Sequence, residues 1–347
     1  MVAPLFKRLA RRVFLRLAAM APPAAGVLEK TPMDLVDLAN NPIPAGCRLE
    51  MISTSDGIRL RTARWPAPPG AARGTVCLFP GWSETIEKYF HVVERLRQRG
   101  FAVAILEWRG QGGSSRLADD PLKGHVRSFR HYLRDIEAFR RKVVLPDCPP
   151  PYFALGHSMG GGILLSAGRF LAPTFERLVL TAPMLGLPQP ATAPGFRRFC
   201  LRLAVYCGAG GRYIPGQRRR TASARTFERN PLTSDPVRYR INEAISAARP
   251  VCRLAAPTLG WVAAATRMFD RLAAPDLAEA VPAPVMLVNS GADTVVSRLA
   301  IETMARRLRN PAYVLIHGAR HEVMMEREVY AAQFWAAFDA FIPGSSE

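Results

Sequence analysis

The segment 156–161 holds a serine in a setting that can make it a nucleophile. It reads Gly-His-Ser-Met-Gly-Gly, follows an apolar strand-like run and precedes an apolar helical pattern. This is the Gly-x-Ser-x-Gly pattern of a nucleophile elbow in its strand–turn–helix context. Side chains at positions 156 and 160 would collide with neighbouring backbone, and the strained turn pushes the hydroxyl of Ser158 out above a sheet. We therefore predict that Ser158 is a nucleophile, the alternative being an ordinary glycine-rich turn.

A serine hydroxyl is a weak nucleophile unless a base takes its proton. After this type of elbow, the acid and the histidine follow the serine along the chain. Asp293 follows the strand-like run 285–289, and His321 follows the run 313–316. Both are therefore expected at the carboxyl edge of a parallel sheet. We predict that His321 takes the proton of Ser158 and returns it to the leaving group, while Asp293 holds the tautomer of His321.

Neighbouring residues leave alternatives to this assignment. His317 also stands near the last strand-like run, but it ends the run rather than following it, so we favour His321. Asp293 could instead be a turn or helix-capping aspartate. His157 is too close to the serine in sequence to act as its base. We expect His157 and His125 to line the substrate site.

An oxyanion that forms during attack on a carbonyl needs backbone N–H donors. One is expected from Met159, which follows the nucleophile, and the other from Trp82, in the loop after the strand-like run 75–79. Gly81 precedes Trp82 and lets the chain pass close to a substrate, so Gly81 is expected to contact the substrate as well.

These residues need a sheet to position them, and apolar β-rich runs alternate with helical patterns through most of the chain. The alternation is typical of a mainly parallel sheet covered by helices. The sequence Asp56-Gly57 is a hairpin signal, so the sheet should begin with an antiparallel pair. The strand-like runs are 48–53, 58–65, 75–79, 102–106, 152–156, 178–181, 285–289 and 313–316. The helical patterns between them are 86–98, 129–144, 160–171, 298–308 and 328–341.

The alternation fails between residues 186 and 260, which are rich in proline and arginine. We predict that 186–260 is an inserted helical cap on a core formed by 46–185 and 261–347. Residues 1–45 are expected to form a basic leader.

The charge of the chain is strongly positive. Its 347 residues include 47 Lys and Arg against 28 Asp and Glu, for a net charge of +19. Such a field favours anionic surfaces, acidic lipid headgroups among them, although an arginine-rich compositional bias is an equal explanation. No zinc finger, RNA-binding signature or helix-turn-helix pattern is visible, so nucleic acid is not expected as a partner. The six cysteines form no CxxC pair, which favours a reducing compartment.

The amino terminus admits three interpretations. Residues 5–21 could be an interfacial helix on anionic lipid, a twin-arginine export signal or a partly ordered basic leader. No segment has the ~20 uninterrupted apolar residues that span a bilayer. We expect a cytoplasmic protein, with peripheral contact at the inner face of the membrane as an option. Without an HExxH motif or a dinucleotide glycine pattern, neither a metal nor an organic cofactor is expected.

Taken together, the motifs resemble those of bacterial lysophospholipases and monoacylglycerol lipases, a branch of the α/β-hydrolase superfamily also labelled serine-aminopeptidase-like hydrolases. The resemblance covers about residues 48–342. It rests on Pro80-Gly81 followed by Glu84 and Tyr89, on Trp108 to Ser114, on Gly124-His125-Val126, on the elbow at 156–161, on Ala182-Pro183-Met184 and on Gly318 to Glu322.

The resemblance implies an α/β-hydrolase fold and hydrolysis of a carboxylic ester with one acyl chain, such as a lysophospholipid or a monoacylglycerol. It implies a Ser158, Asp293 and His321 triad, with the amides of Trp82 and Met159 as the oxyanion hole. Many relatives have His where Pro80 stands, which weighs against a strict monoacylglycerol preference. The alternatives are a general carboxylesterase, an acyltransferase, an aminopeptidase or a non-catalytic peripheral membrane-binding protein.

Overall fold

The computed structural model describes residues 34–70, 72–171, 174–188, 195–215, 226–277 and 280–343. The three interpretations of residues 5–21 fall outside the described residues. In chain order, the strands are β1 (Arg48–Ser53), β2 (Arg59–Trp65), β3 (Thr75–Phe79), β4 (Ala102–Leu106), β5 (Lys123–Gly124), β6 (Tyr152–His157), β7 (Arg177–Thr181), β8 (Ala256–Pro257), β9 (Val285–Ser290) and β10 (Ala312–Ile316).

Eight of these strands form one sheet in the order β1-β2-β4-β3-β6-β7-β9-β10. β1 and β2 pair antiparallel, as do β2 and β4, and every other pairing in this sheet is parallel. The predicted mostly parallel sheet with an antiparallel start is therefore confirmed. Gly57 has a φ of 79° in the turn between β1 and β2, which glycine adopts without strain.

The central strands are buried on both faces, which explains their continuous apolar sequences. All residues of β3, β4 and β9 are buried. Successive side chains of β3 point to opposite faces. Val76 and Leu78 join one apolar cluster, whereas Cys77 and Phe79 join the other. Helices cover both faces of such a sheet.

Five of the α-helices fall where the helical patterns predict them, two lie within the residues predicted as a helical cap, and one, Leu259–Leu272, was not predicted. The α-helices are α1 (Phe90–Gln98), α2 (His131–Phe139), α3 (Met159–Ala167), α4 (Gly195–Tyr206), α5 (Pro236–Ala248), α6 (Leu259–Leu272), α7 (Arg298–Arg307) and α8 (Glu328–Phe341). A π-helical stretch (Arg140–Val144) and a single α-turn (Leu145–Asp147) extend α2. Short 3₁₀ helices are Ile86–Tyr89, Gly168–Phe170, Ala209–Gly211, Phe227–Arg229, Pro250–Cys252, Pro275–Leu277 and Val323–Met325.

The chain between β7 and β9 contains α4, α5, β8 and α6. The two-residue strand β8 pairs with β5 and joins this stretch to the loop before α2. Thr258 caps α6, because its hydroxyl accepts the N–H of Trp261. The predicted boundary between residues 260 and 261 lies in the first turn of α6.

Residues 34–45 belong to the leader predicted from the sequence. In the structure, they contact the core. The side-chain amide of Asn41 donates to the carbonyl of Glu87 at 2.9 Å. The indole of Trp65 donates to the carbonyl of Pro44 at 3.0 Å. Within the described parts of the chain, no helix is long and apolar enough to cross a membrane.

Candidate active site

Ser158 lies in the turn between β6 and α3, with φ 49° and ψ −113°. A residue other than glycine adopts such a positive φ at a cost in strain, and the neighbouring glycines make the turn possible. A Cβ on Gly160 would lie 2.1 Å from the carbonyl oxygen of Phe79. A Cβ on Gly156 would lie 2.6 Å from Cδ1 of Leu164. Neither position can therefore accept a side chain without displacing its surroundings.

The three residues of the predicted triad meet in one hydrogen-bonded chain. Nε2 of His321 lies 2.9 Å from Oγ of Ser158, and Nδ1 of His321 lies 2.7 Å from Oδ2 of Asp293. All three residues are buried. With Nδ1 protonated, His321 donates to the carboxylate and its Nε2 accepts the serine hydroxyl. The alternative base, His317, is exposed in the turn after β10.

Asp293 is held as a charged acceptor. Its Oδ1 accepts the backbone N–H groups of Val295 at 2.6 Å and Val296 at 3.1 Å, which leaves Oδ2 for His321. Burial acts to raise the pKa of Asp293, but the hydrogen bond from His321 and these two backbone donors outweigh it and lower the pKa. An ionised, immobilised carboxylate fixes the orientation and tautomer of the imidazole.

Gln111 connects the two segments that carry the predicted oxyanion-hole amides. Its Oε1 accepts the N–H of Ser83, next to Trp82, at 2.6 Å. Its Nε2 lies 3.6 Å from Sδ of Met159. The Gly81 N–H is already used, since it donates to Oε2 of Glu84 at 2.5 Å. Sequence reasoning did not assign Gln111 a role, although it belongs to one of the recognised motifs.

A buried ionic cluster lies behind the site. Nζ of Lys88 lies 2.5 Å from Oε1 of Glu84 and 2.5 Å from Oε1 of Glu322. The phenol of Tyr89 donates to Oε2 of Glu84 at 2.6 Å. Glu84 follows the loop that carries Trp82, and Glu322 follows His321 in the chain. The cluster therefore ties the proposed oxyanion loop to the histidine loop.

The pKa values of the ionisable groups in this cluster shift in different directions. Burial acts to raise the pKa of Glu84, but the Lys88 ammonium and a hydrogen bond from Tyr89 lower the pKa to about 2. Burial and the negative charge of Glu84 raise the pKa of Glu322 despite Lys88. Burial opposes the charge of Lys88, but the two carboxylates raise its pKa. Sequence reasoning missed Lys88; its only local signal is the i, i+4 spacing from Glu84.

The two histidines that are predicted to line the substrate site lie in different surroundings. The ring of His157 packs against that of His321, with 4.9 Å between centroids, and Nδ1 of His157 lies 3.0 Å from the Thr181 hydroxyl. Burial lowers the pKa of His157 to about 3, so this ring is neutral. Nδ1 of His125 lies 2.8 Å from the hydroxyl of Thr258, at the start of α6. The substrate-lining roles of Gly81, His125 and His157 stay predictions.

The sheet order, the strained serine after β6 and the hydrogen-bonded triad at the carboxyl ends of the strands define an α/β-hydrolase. Comparison with known proteins is consistent with this class. The family model described as serine aminopeptidase, S33 matches residues 70–328. Lysophospholipase L2 of Escherichia coli is 30% identical over 283 residues, which cover 79% of this chain and 81% of that protein. Monoacylglycerol lipase of Mycolicibacterium smegmatis is 26% identical over 284 residues, covering 78% of this chain and 89% of that one.

Solved structures share the fold. A soluble variant of monoglyceride lipase from Saccharomyces cerevisiae superposes with a TM-score of 0.67 at 17% identity, covering 91% of this chain and 98% of that chain. A carboxyl esterase from Bacillus coagulans superposes with a TM-score of 0.69 at 20% identity, covering 87% and 99%. The chain belongs to the serine aminopeptidase S33 family of α/β-hydrolases. It is an ester hydrolase of the branch that includes lysophospholipases and monoacylglycerol lipases.

Proposed function

We propose that the chain cleaves carboxylic esters through an acyl-enzyme on Ser158. His321 takes the hydroxyl proton as Oγ attacks the ester carbonyl carbon, and it then protonates the leaving alcohol as the ester C–O bond breaks. A water molecule next gives a proton to His321 and adds to the acyl carbon. The bond between that carbon and Oγ then breaks, the acid leaves, and His321 returns the proton to Oγ. Asp293 stabilises the imidazolium in both steps. The observation that carries this proposal is the hydrogen-bonded chain from Ser158 through His321 to Asp293.

The backbone N–H groups of Met159 and Trp82 are the proposed donors to the tetrahedral oxyanion. Met159 begins α3, so its N–H is not used within that helix and the helix dipole favours negative charge there. The contacts of Gln111 with Ser83 and Met159 support a fixed spacing between the two donors. Preorganised donors of this kind stabilise the transition state without reorganisation.

The proposed substrate is an ester with one acyl chain, a lysophospholipid or a monoacylglycerol. The support is the family membership together with the names of the two relatives, a lysophospholipase and a monoacylglycerol lipase. We propose that residues 186–260 cap the core formed by 46–185 and 261–347, with an acyl pocket beneath the cap. A general carboxylesterase, an acyltransferase or an aminopeptidase would use the same triad with a different cap.

The described part of α4 supports peripheral membrane contact at the cap. Phe199, Leu203 and Tyr206 are 61%, 48% and 85% exposed. Arg198 and Arg202 lie on the same helix, and both pair with Asp270. Apolar side chains flanked by arginines suit the interface of an anionic bilayer. A double change of Phe199→Ser and Leu203→Ser should lower binding to vesicles that contain phosphatidylglycerol, whereas hydrolysis of a water-soluble ester should persist.

The test of the catalytic proposal is labelling by a fluorophosphonate probe. Wild type should label, and Ser158→Ala and His321→Ala should not. The matched controls are Ser166→Ala, on α3, and His317→Ala, in the turn after β10; both should label like wild type. Folded wild-type protein that does not label, or a Ser158→Ala variant that labels, would contradict the proposal.

A substrate panel then tests the ester class. Lysophosphatidylcholine and monooleoylglycerol should be hydrolysed with a higher kcat/KM than a two-carbon p-nitrophenyl ester. Equal or better turnover of the short ester would favour the general carboxylesterase.

A further inference from the structure

The loop that carries His321 is hydrogen-bonded to a segment of the predicted cap. This segment, residues 230–235, lies between the 3₁₀ turn Phe227–Arg229 and helix α5. The carbonyl of Leu232 accepts the N–H of Glu322 at 2.8 Å, and the carbonyl of Pro231 accepts the N–H of His321 at 3.5 Å. The backbone at the proposed base is thus bound to a part of the chain some 90 residues earlier, outside the sheet.

The side chains of Glu326 and Arg320, which lie near His321 in the chain, stabilise the same contact. The carboxylate of Glu326, which is 4% exposed, accepts the N–H of Arg320 at 2.9 Å and the N–H of Ser234 at 2.9 Å. It also accepts the hydroxyl of Ser234. The guanidinium of Arg320 donates to the carbonyls of Asn230 and Thr233, each at 3.0 Å. Three successive backbone N–H groups, at 320, 321 and 322, therefore have their acceptors in Glu326 or the 230–235 segment.

Asn230 gives the segment its shape. Its Oδ1 accepts the N–H groups of Leu232 and Thr233, both at 3.0 Å, and its Nδ2 donates to the carbonyl of Phe227 at 2.6 Å. Such a side-chain-to-backbone turn replaces a backbone turn. Asn230 is 4% exposed, so water cannot easily replace these bonds. The turn aims the carbonyl of Leu232 at the His321 loop.

We propose that Asn230 and Glu326 are positioning residues for His321, acting through the backbone of its loop. This inference rests on the proposed function, in which His321 is the base. Nε2 of His321 must stay within hydrogen-bond reach of Ser158, at 2.9 Å in the structure. A misplacement of about 1 Å in a reacting group can cost about 10²-fold in rate. In this proposal, the 230–235 segment is part of the catalytic architecture.

The substitution Asn230→Ala removes the acceptor of the N–H groups of Leu232 and Thr233, while leaving every proposed catalytic side chain in place. We expect the rate of fluorophosphonate labelling and kcat for a soluble ester to fall about 10- to 100-fold, with KM nearly unchanged. Asn230→Asp keeps the Oδ1 acceptor and should retain most of the activity. Asn242→Ala, on α5, is the matched control and should behave like wild type.

A spectroscopic signature separates positioning from a general loss of structure. The proton between His321 and Asp293 gives a downfield proton NMR resonance when the imidazole is held in place. It should broaden or shift in Asn230→Ala and persist in Asn242→Ala, with thermal unfolding of both variants remaining cooperative. Wild-type labelling kinetics and an unchanged resonance in folded Asn230→Ala would overturn the inference.

Two further results keep this test decisive. If Asn230→Ala does not fold, Ser234→Ala, which loses the hydroxyl contact with Glu326, should show a smaller slowing in the same direction; an unchanged rate overturns the inference. Failure of the proposed function gives a different pattern, because His321→Ala would then label as well as wild type. If His321→Ala loses labelling and both segment variants keep it, only the positioning role is wrong.

Discussion

Replacing Lys88 by methionine tests the buried ionic cluster, because it removes the cation and keeps a similar volume. Oε1 of Glu84 and Oε1 of Glu322 each lie 2.5 Å from the same nitrogen, so these two oxygens are at most about 5 Å apart. At an effective dielectric constant of about 20, two unit charges at that distance repel by about 3 kcal/mol. Breaking a buried ion pair by removing one partner typically costs about 3–5 kcal/mol. We expect Lys88→Met to lower the free energy of unfolding by about that amount at pH 7.5.

The pH dependence of this loss follows from the sign of the pKa change. Without Lys88, the two carboxylates repel each other, and the pKa of Glu322 rises further above its unfolded value. The folded state then binds more protons than the unfolded state, so stability falls as pH rises from the unfolded pKa to the folded one. The slope is about 1.4 kcal/mol per pH unit for one proton. The penalty should therefore be smaller at pH 5.5 than at pH 7.5.

Urea unfolding at both pH values measures the two quantities. Lys142→Met, at an exposed position on the extension of α2, is the matched control and should change stability by less than about 0.5 kcal/mol. The double variant Lys88→Met/Glu322→Gln should recover part of the loss at pH 7.5, since the repulsion is removed. A penalty below about 1 kcal/mol, or the same penalty at both pH values, would refute the reasoning.

Three further predictions follow from the site geometry. Asp293→Asn should lower kcat about 10⁴-fold, because His321 then loses its tautomer, and should leave KM for a soluble ester nearly unchanged; a loss below tenfold would contradict this. Gln111→Ala should slow labelling by a fluorophosphonate about 10-fold or more, because it loosens the spacing of the oxyanion donors. Gly160→Ala should prevent folding or destabilise strongly in thermal unfolding, whereas Gly211→Ala, with open space around its Cα, should not.

Local sequence determined most of the sheet and the elbow. Every side chain of β3 and β4 is buried, so both strands have continuous apolar sequences. Such a run predicts a buried strand without knowledge of the strands that pair with it. The Asp56-Gly57 hairpin and the glycines around Ser158 are equally local, because a positive φ or a close backbone approach restricts the residue at that position itself. Ser158, Asp293 and His321 each follow a strand-like run, which is why the sequence alone predicted all three at one edge of a parallel sheet.

Tertiary structure alone decided what surrounds that triad. Lys88 contacts Glu322, and the carboxylate of Glu326 binds Ser234, across long stretches of chain. Neither of these long-range contacts carries a local signal, because a buried charge or a backbone N–H is satisfied by whichever group folding brings within about 3 Å. The 230–235 segment has no helix or strand period, and its proposed role follows only from its contact with the His321 loop. Sequence therefore determined the proposed reacting groups and the strands that present them, while the three-dimensional packing decided which side chains contact those groups.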